Sequence, residues 1–272
     1  MNRPKLNTCP WYEYAFIILI CLLSVFPFYW MLVASTNKST DVIQGKLTFG
    51  LYLFENIKTM IKTVNVGRAF WNSLRTSVIQ TLLSIFVCSA AGYGFQVYRD
   101  KQKDTLMTIL LLSMMIPFAS TMVPLFRMFS KAHLLNSTLG FILPSISTAF
   151  LIFFFRQNSQ AFPIETIQAA RVDGLNEFAI YLKVYCPIMA PTFAAAAIVT
   201  FMNAWNNYMW PLIVMQSQQM QTMPLLVTGL TAGYVTDYGL LMLCVTIMTL
   251  PTVILFFTQQ KKFVEGVVGS VK

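Results

Sequence analysis

Six apolar runs, at about 12–34, 72–97, 105–126, 138–155, 188–214 and 237–258, constrain this chain more than any other feature. Most are close to the ~20 residues that an α-helix needs to cross ~30 Å of hydrocarbon. In lipid a backbone must satisfy its own hydrogen bonds, so the pattern predicts an all-α integral membrane protein with six transmembrane helices in a single transmembrane domain. Composition agrees, because 56% of the 272 residues are hydrophobic and only 11% are charged, too apolar for an ordinary soluble domain. A net charge of +9 would suggest nucleic acid in a soluble protein. Here the basic residues flank apolar runs, where they anchor spans, so membrane lipid is the expected surroundings and nucleic acid is not a partner.

The first run follows Arg3 and Lys5, is longer than the core of a secretory signal and has no small-x-small cleavage site after it. It is expected to be a retained span with Pro27 inside it. The mixed, polar stretch 35–71 is predicted to hold a short amphipathic helix over 53–63. Pro117 and Pro124 should break or bend the third run, and Pro144 lies in the first half of the fourth. Arg3, Lys5, Arg99, Lys101, Lys103, Arg156, Arg171, Lys183, Lys261, Lys262 and Lys272 fall on one side of this frame. The short loops of the other side offer only Arg127 and Lys131, so the first group is predicted to be cytoplasmic, with both termini.

The chain has no G-x-x-x-x-G-K-[ST] loop, and its glycines never cluster to cradle phosphate, so it is not expected to hydrolyse ATP unaided. Its one histidine, His133, sits in a short polar connection without acidic or cysteine neighbours at metal spacing. Cys9, Cys21, Cys88, Cys186 and Cys244 are scattered, mostly inside apolar segments, as small buried hydrophobes. No metal, no cofactor and no enzymatic activity are expected. Ionisable residues are also missing from the middles of the spans, which disfavours a proton-coupled carrier. A sodium-coupled secondary transporter of a small polar solute stays open, since backbone carbonyls of broken helices can bind the ion. No span offers a recognisable channel filter.

Between the fourth and fifth runs lies F162-P-I-E-T-I-Q-A-A-R-V-D-G-L-N-E-F-A-I-Y-L-K-V-Y-C-P-I-M-A-P191, a polar interruption with the chemistry of a helix-turn-helix. Pro163 suits a helix start, Glu165 suits the positive end of the dipole, and Ile164, Ile167 and Val172 supply apolar contacts. Asp173-Gly174 should end the first helix, with Asp173 capping a second helix over 175–186. Gln168-Ala169-Ala170, then Asp173-Gly174, then Pro187 and Pro191, resembles the E-A-A-x-x-x-G-x9-I-x-L-P loop of ABC importer permeases. The usual Glu is Gln168 here, and the Ile and Leu before the proline are Val184 and Cys186. Trp71-Asn72-Ser73-Leu74, Ala91-Gly92-Tyr93-Gly94-Phe95, Trp205-Asn206-Asn207-Tyr208-Met209-Trp210-Pro211-Leu212 and the tail Phe263-Val264-Glu265-Gly266 with Val271-Lys272 extend the resemblance to the carbohydrate-uptake type of these permeases. The tail is about one residue shorter than the family's.

This resemblance implies a second, homologous permease chain, two ATPase subunits and an extracytoplasmic sugar-binding protein, in a bacterial inner membrane. It also implies a cytoplasmic ATPase-docking loop over 162–187, with Gln168, Ala169, Ala170, Asp173 and Gly174 at its contact face. From the residues themselves, Asn203, Asn206, Asn207 and Trp210 fall at i, i+3, i+4 and i+7 of the fifth run, which places three amides and an indole on one helical stripe. Such amides must avoid lipid, so the stripe either lines a path for a hydroxyl-rich solute or glues helices together. Ala190 and Ala194 to Ala197, and Ala90 with Gly94, offer small surfaces either for a partner permease or for packing within the chain.

Overall fold

The structure, a computed structural model, describes residues 11–233 and 235–268. Arg3, Lys5, Cys9 and the tail residues Val271 and Lys272 lie outside the described residues, among which all regular structure is helical. The helices are α1 (Trp11–Ser35), α2 (Ser39–Ile43), α3 (Leu53–Thr63), α4 (Val66–Val97), α5 (Lys101–Ser113), α6 (Phe118–Lys131), α7 (Thr138–Ile142) and α8 (Ala149–Asn158). They continue with α9 (Ile164–Val172), α10 (Glu177–Ile180), α11 (Cys186–Ile188), α12 (Ala190–Trp205), α13 (Met209–Val214), α14 (Met223–Gly229) and α15 (Tyr238–Val268). Three helices, α1, α4 and α15, are long and apolar enough to cross a membrane alone. Three bent pairs raise the number to as many as six: α5 with α6 at 96°, Thr138–Ser145 with Ala149–Ala161 at 51°, and Glu177–Ile188 with α12 at 83°.

The bends have local causes. Pro117 caps α6 with extended backbone, since its ring excludes a continuing helix from α5. At the second bend Thr148 turns extended, and its hydroxyl accepts the Leu151 N–H to start α8.

The chain forms two compact units. One comprises the segment ending at Val66 together with Val227–Thr249. Its polar centre is Asn56, whose Nδ2 donates to the carbonyls of Ser35 (2.8 Å) and Asn37 (3.0 Å), while Asn37 Nδ2 donates to Val33 (2.9 Å) and Thr48 (2.8 Å). These bonds satisfy the carbonyls left free where α1 ends. α1 otherwise presents apolar side chains outward along most of its length, as a lipid-facing helix does.

The second unit comprises Gly67–Leu226 with the segment from Leu250, and it contains the candidate sites. Here α4 is the central rod. Asn72 Nδ2 donates to the carbonyls of Gln219 (2.9 Å) and Gln221 (3.0 Å), and Ser73 Oγ accepts the Met223 N–H (2.8 Å). The Trp-Asn-Ser motif therefore fastens the start of α14, a helix not expected from the sequence although Met223, Pro224, Leu225 and Leu226 are all buried. Lower on α4, Gly92 lets α8 approach: a Cβ there would lie 2.6 Å from Phe155 Cβ. Asp104 at the head of α5 takes the guanidinium of Arg156 and, at 3.3 Å, Arg99.

Candidate functional site

Two features of the second unit have the chemistry of function. The first is a hairpin of short helices. α9 ends with Asp173 as its C-cap, and Gly174 follows at φ +81°, a left-handed conformation that glycine adopts without strain. Asn176 then caps the next helix, its Oδ1 accepting the Ala179 N–H at 2.8 Å. This corrects the expectation that Asp173 caps the second helix, and moves the start of that helix to Glu177.

The hairpin is rooted by aromatic packing. Ile167, Ile180, Tyr181 and Tyr185 are buried with Tyr93 of α4 and Phe162. A π-helical turn at Tyr181–Tyr185 stacks its two rings at 5.7 Å and aims both hydroxyls at serines: Tyr181 to Ser89 (2.6 Å) and Tyr185 to Ser159 (2.7 Å). π-turns of this kind are common at functional sites. Arg171 Nε donates to Glu177 Oε1 at 2.7 Å and the Tyr93 hydroxyl donates to Glu177 Oε2 at 3.3 Å, which ties both helices of the hairpin to α4. The Arg171 guanidinium, then the Tyr98 hydroxyl, hold the Glu177 carboxyl below the usual carboxylate range. The pair was missed in the sequence, although a base and an acid flanking Asp-Gly at a separation of six is a visible sign of closure across a turn.

Of the five residues expected at the hairpin's contact face, Gln168, Ala169, Asp173 and Gly174 are exposed. Ala170 is not, and lies in the aromatic root with Tyr93 and Ile180, which corrects its assignment. Of the expected apolar contacts, Ile167 is fully buried, but Val172 is 88% exposed and stands outward with Ile164, Phe178 and Leu182.

The second feature is a cavity of about 140 Å³ between α4, α12 and the break before α8. α4 contributes Gln80 and Ser84, and α12 contributes Thr200 and Asn203, with Asn207 beyond its end. The break before α8 adds Ser145 and Thr148, and Phe150 and Leu151 give an apolar flank. The lining holds amides and hydroxyls but no charged group. Such a surface suits a neutral, hydroxyl-rich solute, since amides both donate and accept.

The single stripe expected over 203–210 does not exist. α12 stops at Trp205, Asn206 is its C-cap, and the chain restarts as α13 after Tyr208. Pro211 supplies the reason: in a continuous helix it would have to donate an N–H it lacks to Asn207, and its ring would strike that carbonyl. Restarting at Met209 places Pro211 in a first turn, where no N–H is needed. As a result Asn203, itself exposed, and Asn207, half-buried, border the cavity, whereas Asn206 lies outside its lining with its Nδ2 donating back to the Met202 carbonyl at 3.0 Å. Trp210 points elsewhere. It is 2% exposed, packs edge-on to Phe129 at 5.2 Å, and gives its indole N–H to the Gly140 carbonyl at 2.9 Å. Trp205 stacks on Phe201 at 5.9 Å, and both belong to the packing surface. Ala195 and Ala196 are likewise buried within the chain, while Ala194, Ala197 and Ala90 are at least partly open.

A helical protein with several membrane-spanning helices and a partly open cavity lined by amides and hydroxyls without charge, with an apolar-faced hairpin on its surface, has the make-up of a transport permease. The chain belongs to the family described as binding-protein-dependent transport system inner membrane component, whose profile matches residues 84–268. It is 45% identical over 260 residues to the lactose transport system permease protein LacG of Rhizobium radiobacter, covering 96% of this chain and 95% of that one. It is 34% identical to the arabinooligosaccharides transport system permease protein AraQ of Bacillus subtilis (strain 168), with 94% of each chain covered. Its fold matches a chain in the crystal structure of a bacterial ABC transporter involved in the import of the acidic polysaccharide alginate, with a TM-score of 0.81 over 97% of this chain and 99% of that one, at 16% identity. The sodium-coupled alternative finds no support among these relatives.

Proposed function

We propose that this chain is the membrane-spanning permease subunit of an ATP-driven ABC importer of neutral sugars or oligosaccharides in a bacterial inner membrane, with both termini cytoplasmic. It forms half of the translocation pathway beside a second, homologous permease. Two ATPase subunits supply hydrolysis, and an extracytoplasmic binding protein delivers the sugar. The observation that carries the sugar assignment is the cavity at Asn203 and Asn207, polar yet uncharged, in a chain whose relatives are named for lactose and arabino-oligosaccharide transport. A phosphorylated or carboxylated solute would leave its charge unpaired there, at a large desolvation cost.

The hairpin over 162–187 is the ATPase-docking loop in this account. Gln168, Ala169, Asp173 and Gly174 present its polar edge, and Val172, Phe178 and Leu182 give it an apolar face of the kind that a cleft on a partner protein buries. Movement of the docked hairpin reaches the cavity through α4, which carries Tyr93 and Ser89 at one end and Ser84 and Gln80 further along. The test is to purify the chain with its associated subunits and reconstitute it with the binding protein. An ATPase should copurify, and neutral-sugar uptake should require ATP and persist without a sodium gradient. Uptake by this chain alone, driven by sodium, would overturn the proposal.

A further inference from the structure

Asn203 and Asn207 sit on one wall of the cavity, and the chain supplies a second amide from a different helix. Gln80 of α4 lines the same space, is only 5% exposed, and its Oε1 has no hydrogen-bond partner within the chain. A buried amide oxygen left in this state costs free energy unless something donates to it. Ser84, one turn on, already donates to the Ser145 carbonyl at 2.9 Å, Thr81 donates to the Ser77 carbonyl at 2.7 Å, and the buried Ser77 hydroxyl, one turn back, is likewise unpartnered and makes no bond to the Gln80 oxygen. The aromatic surface that a sugar ring would cover is also in this cavity. Phe150 is 47% exposed and is backed by Phe154, whose ring stacks at 6.4 Å and 26°.

We propose that Gln80 and Phe150 form a ring-binding subsite for a neutral saccharide: the Gln80 carboxamide oxygen accepts a sugar hydroxyl, and the Phe150 ring covers the apolar C–H face. This rests on the assignment of the cavity as the sugar path and adds the residues that discriminate within it. Phe150 offers the cavity an open ring, whereas the Trp210 ring is enclosed in the protein core. Among solutes, the subsite favours those that present a hydroxyl donor beside an unsubstituted ring face, and disfavours anions, since an amide oxygen repels them.

The experiment uses the complete importer in vesicles with its binding protein and the neutral saccharide that the wild type carries fastest from a panel led by lactose. Gln80→Met keeps the side chain's length and removes its unpartnered oxygen, so assembly yield and thermal stability should stay at wild-type level or rise. Sugar moved per ATP hydrolysed should fall by about 5- to 10-fold, the usual loss for one hydrogen bond to a buried group. Phe150→Leu should lower the same ratio, and Phe150→Tyr should retain most of it. If Gln80→Met moves sugar at the wild-type ratio while Asn203→Ala does not, the subsite is wrong and the path assignment stands. If neither substitution changes the ratio, the path assignment itself fails. A drop in yield or thermal stability of Gln80→Met would show that the amide serves packing, which also overturns the subsite.

Discussion

The hairpin at 164–188 and the stretch from Asn203 to Val214 are each a helix, a break and a second helix, and they differ in what the break exposes. At the hairpin the break is a glycine turn with φ +81°, an Asn cap and outward apolar side chains. At the second the break has no glycine, is enforced by Pro211, and turns two amides into a cavity while anchoring an indole in the core. Apolar groups on an exposed turn fit a protein partner, because burying them there releases water from both surfaces. Amides bordering a partly open cavity fit a solute that arrives with its own hydrogen bonds to exchange.

Truncation of the anchor should produce the largest effect. Trp210→Ala removes a fully buried ring and leaves the Gly140 carbonyl without its donor, for a loss of about 3–5 kcal/mol by the usual cost of buried Trp truncation. Thermal unfolding of the detergent-solubilised importer should show it, and the surviving transporter should keep its preference among sugars. A change in preference at normal stability would put Trp210 back on the path. Next come the amides. Asn203→Ala and Asn207→Ala should each shift sugar preference or raise uptake KM by about 5- to 10-fold with complex yield unchanged, whereas Asn206→Ala, outside the cavity, should do neither. If all three behave alike, the two sides of the break are not distinct.

Much of the hairpin was legible because its signals are local. Asp173-Gly174 announces a helix end and Pro187 and Pro191 announce a change of direction, whatever the rest of the chain does. The inward turn of Ala170 was not legible, since α9 has apolar residues on more than one side and only the packing of Tyr93 and Ile180 decides which is covered. The Asn203–Trp210 pattern depended on an unbroken helix, and Pro211 was the sign that it breaks. Gln80 escaped notice for another reason. A lone glutamine in an apolar run carries no spacing signal, and its meaning comes from α12, more than a hundred residues later. Run length made α1, α4 and α15 readable as spans, and six spans is compatible with the structure if each bent pair is one span, but the bends near right angles within two of the pairs are tertiary facts.

A smaller effect concerns the ion pair that closes the hairpin. Because Glu177 has its carboxyl held low by Arg171, the contribution of the pair is fully present above the ordinary carboxylate pKa and is lost as pH falls through the folded value. Hydrogen exchange over 164–188 should therefore be flat from pH 8 to about 5 once corrected for intrinsic rates, and should rise only below about pH 4. Glu177→Gln should show that faster exchange already at neutral pH. Equal protection in the variant at every pH would mean that the aromatic root alone holds the hairpin.

The central claim is that the hairpin's geometry transmits hydrolysis to the cavity, and Gly174 tests it most directly. A Cβ at this position would meet nothing within 4 Å, so any effect of substitution comes from the backbone conformation and not from a clash. Gly174→Asn tolerates a left-handed backbone and should keep coupled transport. Gly174→Val is strained there and should tilt the two helices apart. In the assembled importer, with both variants at normal yield, sugar uptake per ATP hydrolysed should be near wild type for Asn and at least about 10-fold lower for Val, the equivalent of about 1.4 kcal/mol. Normal coupled transport in Gly174→Val would contradict the account.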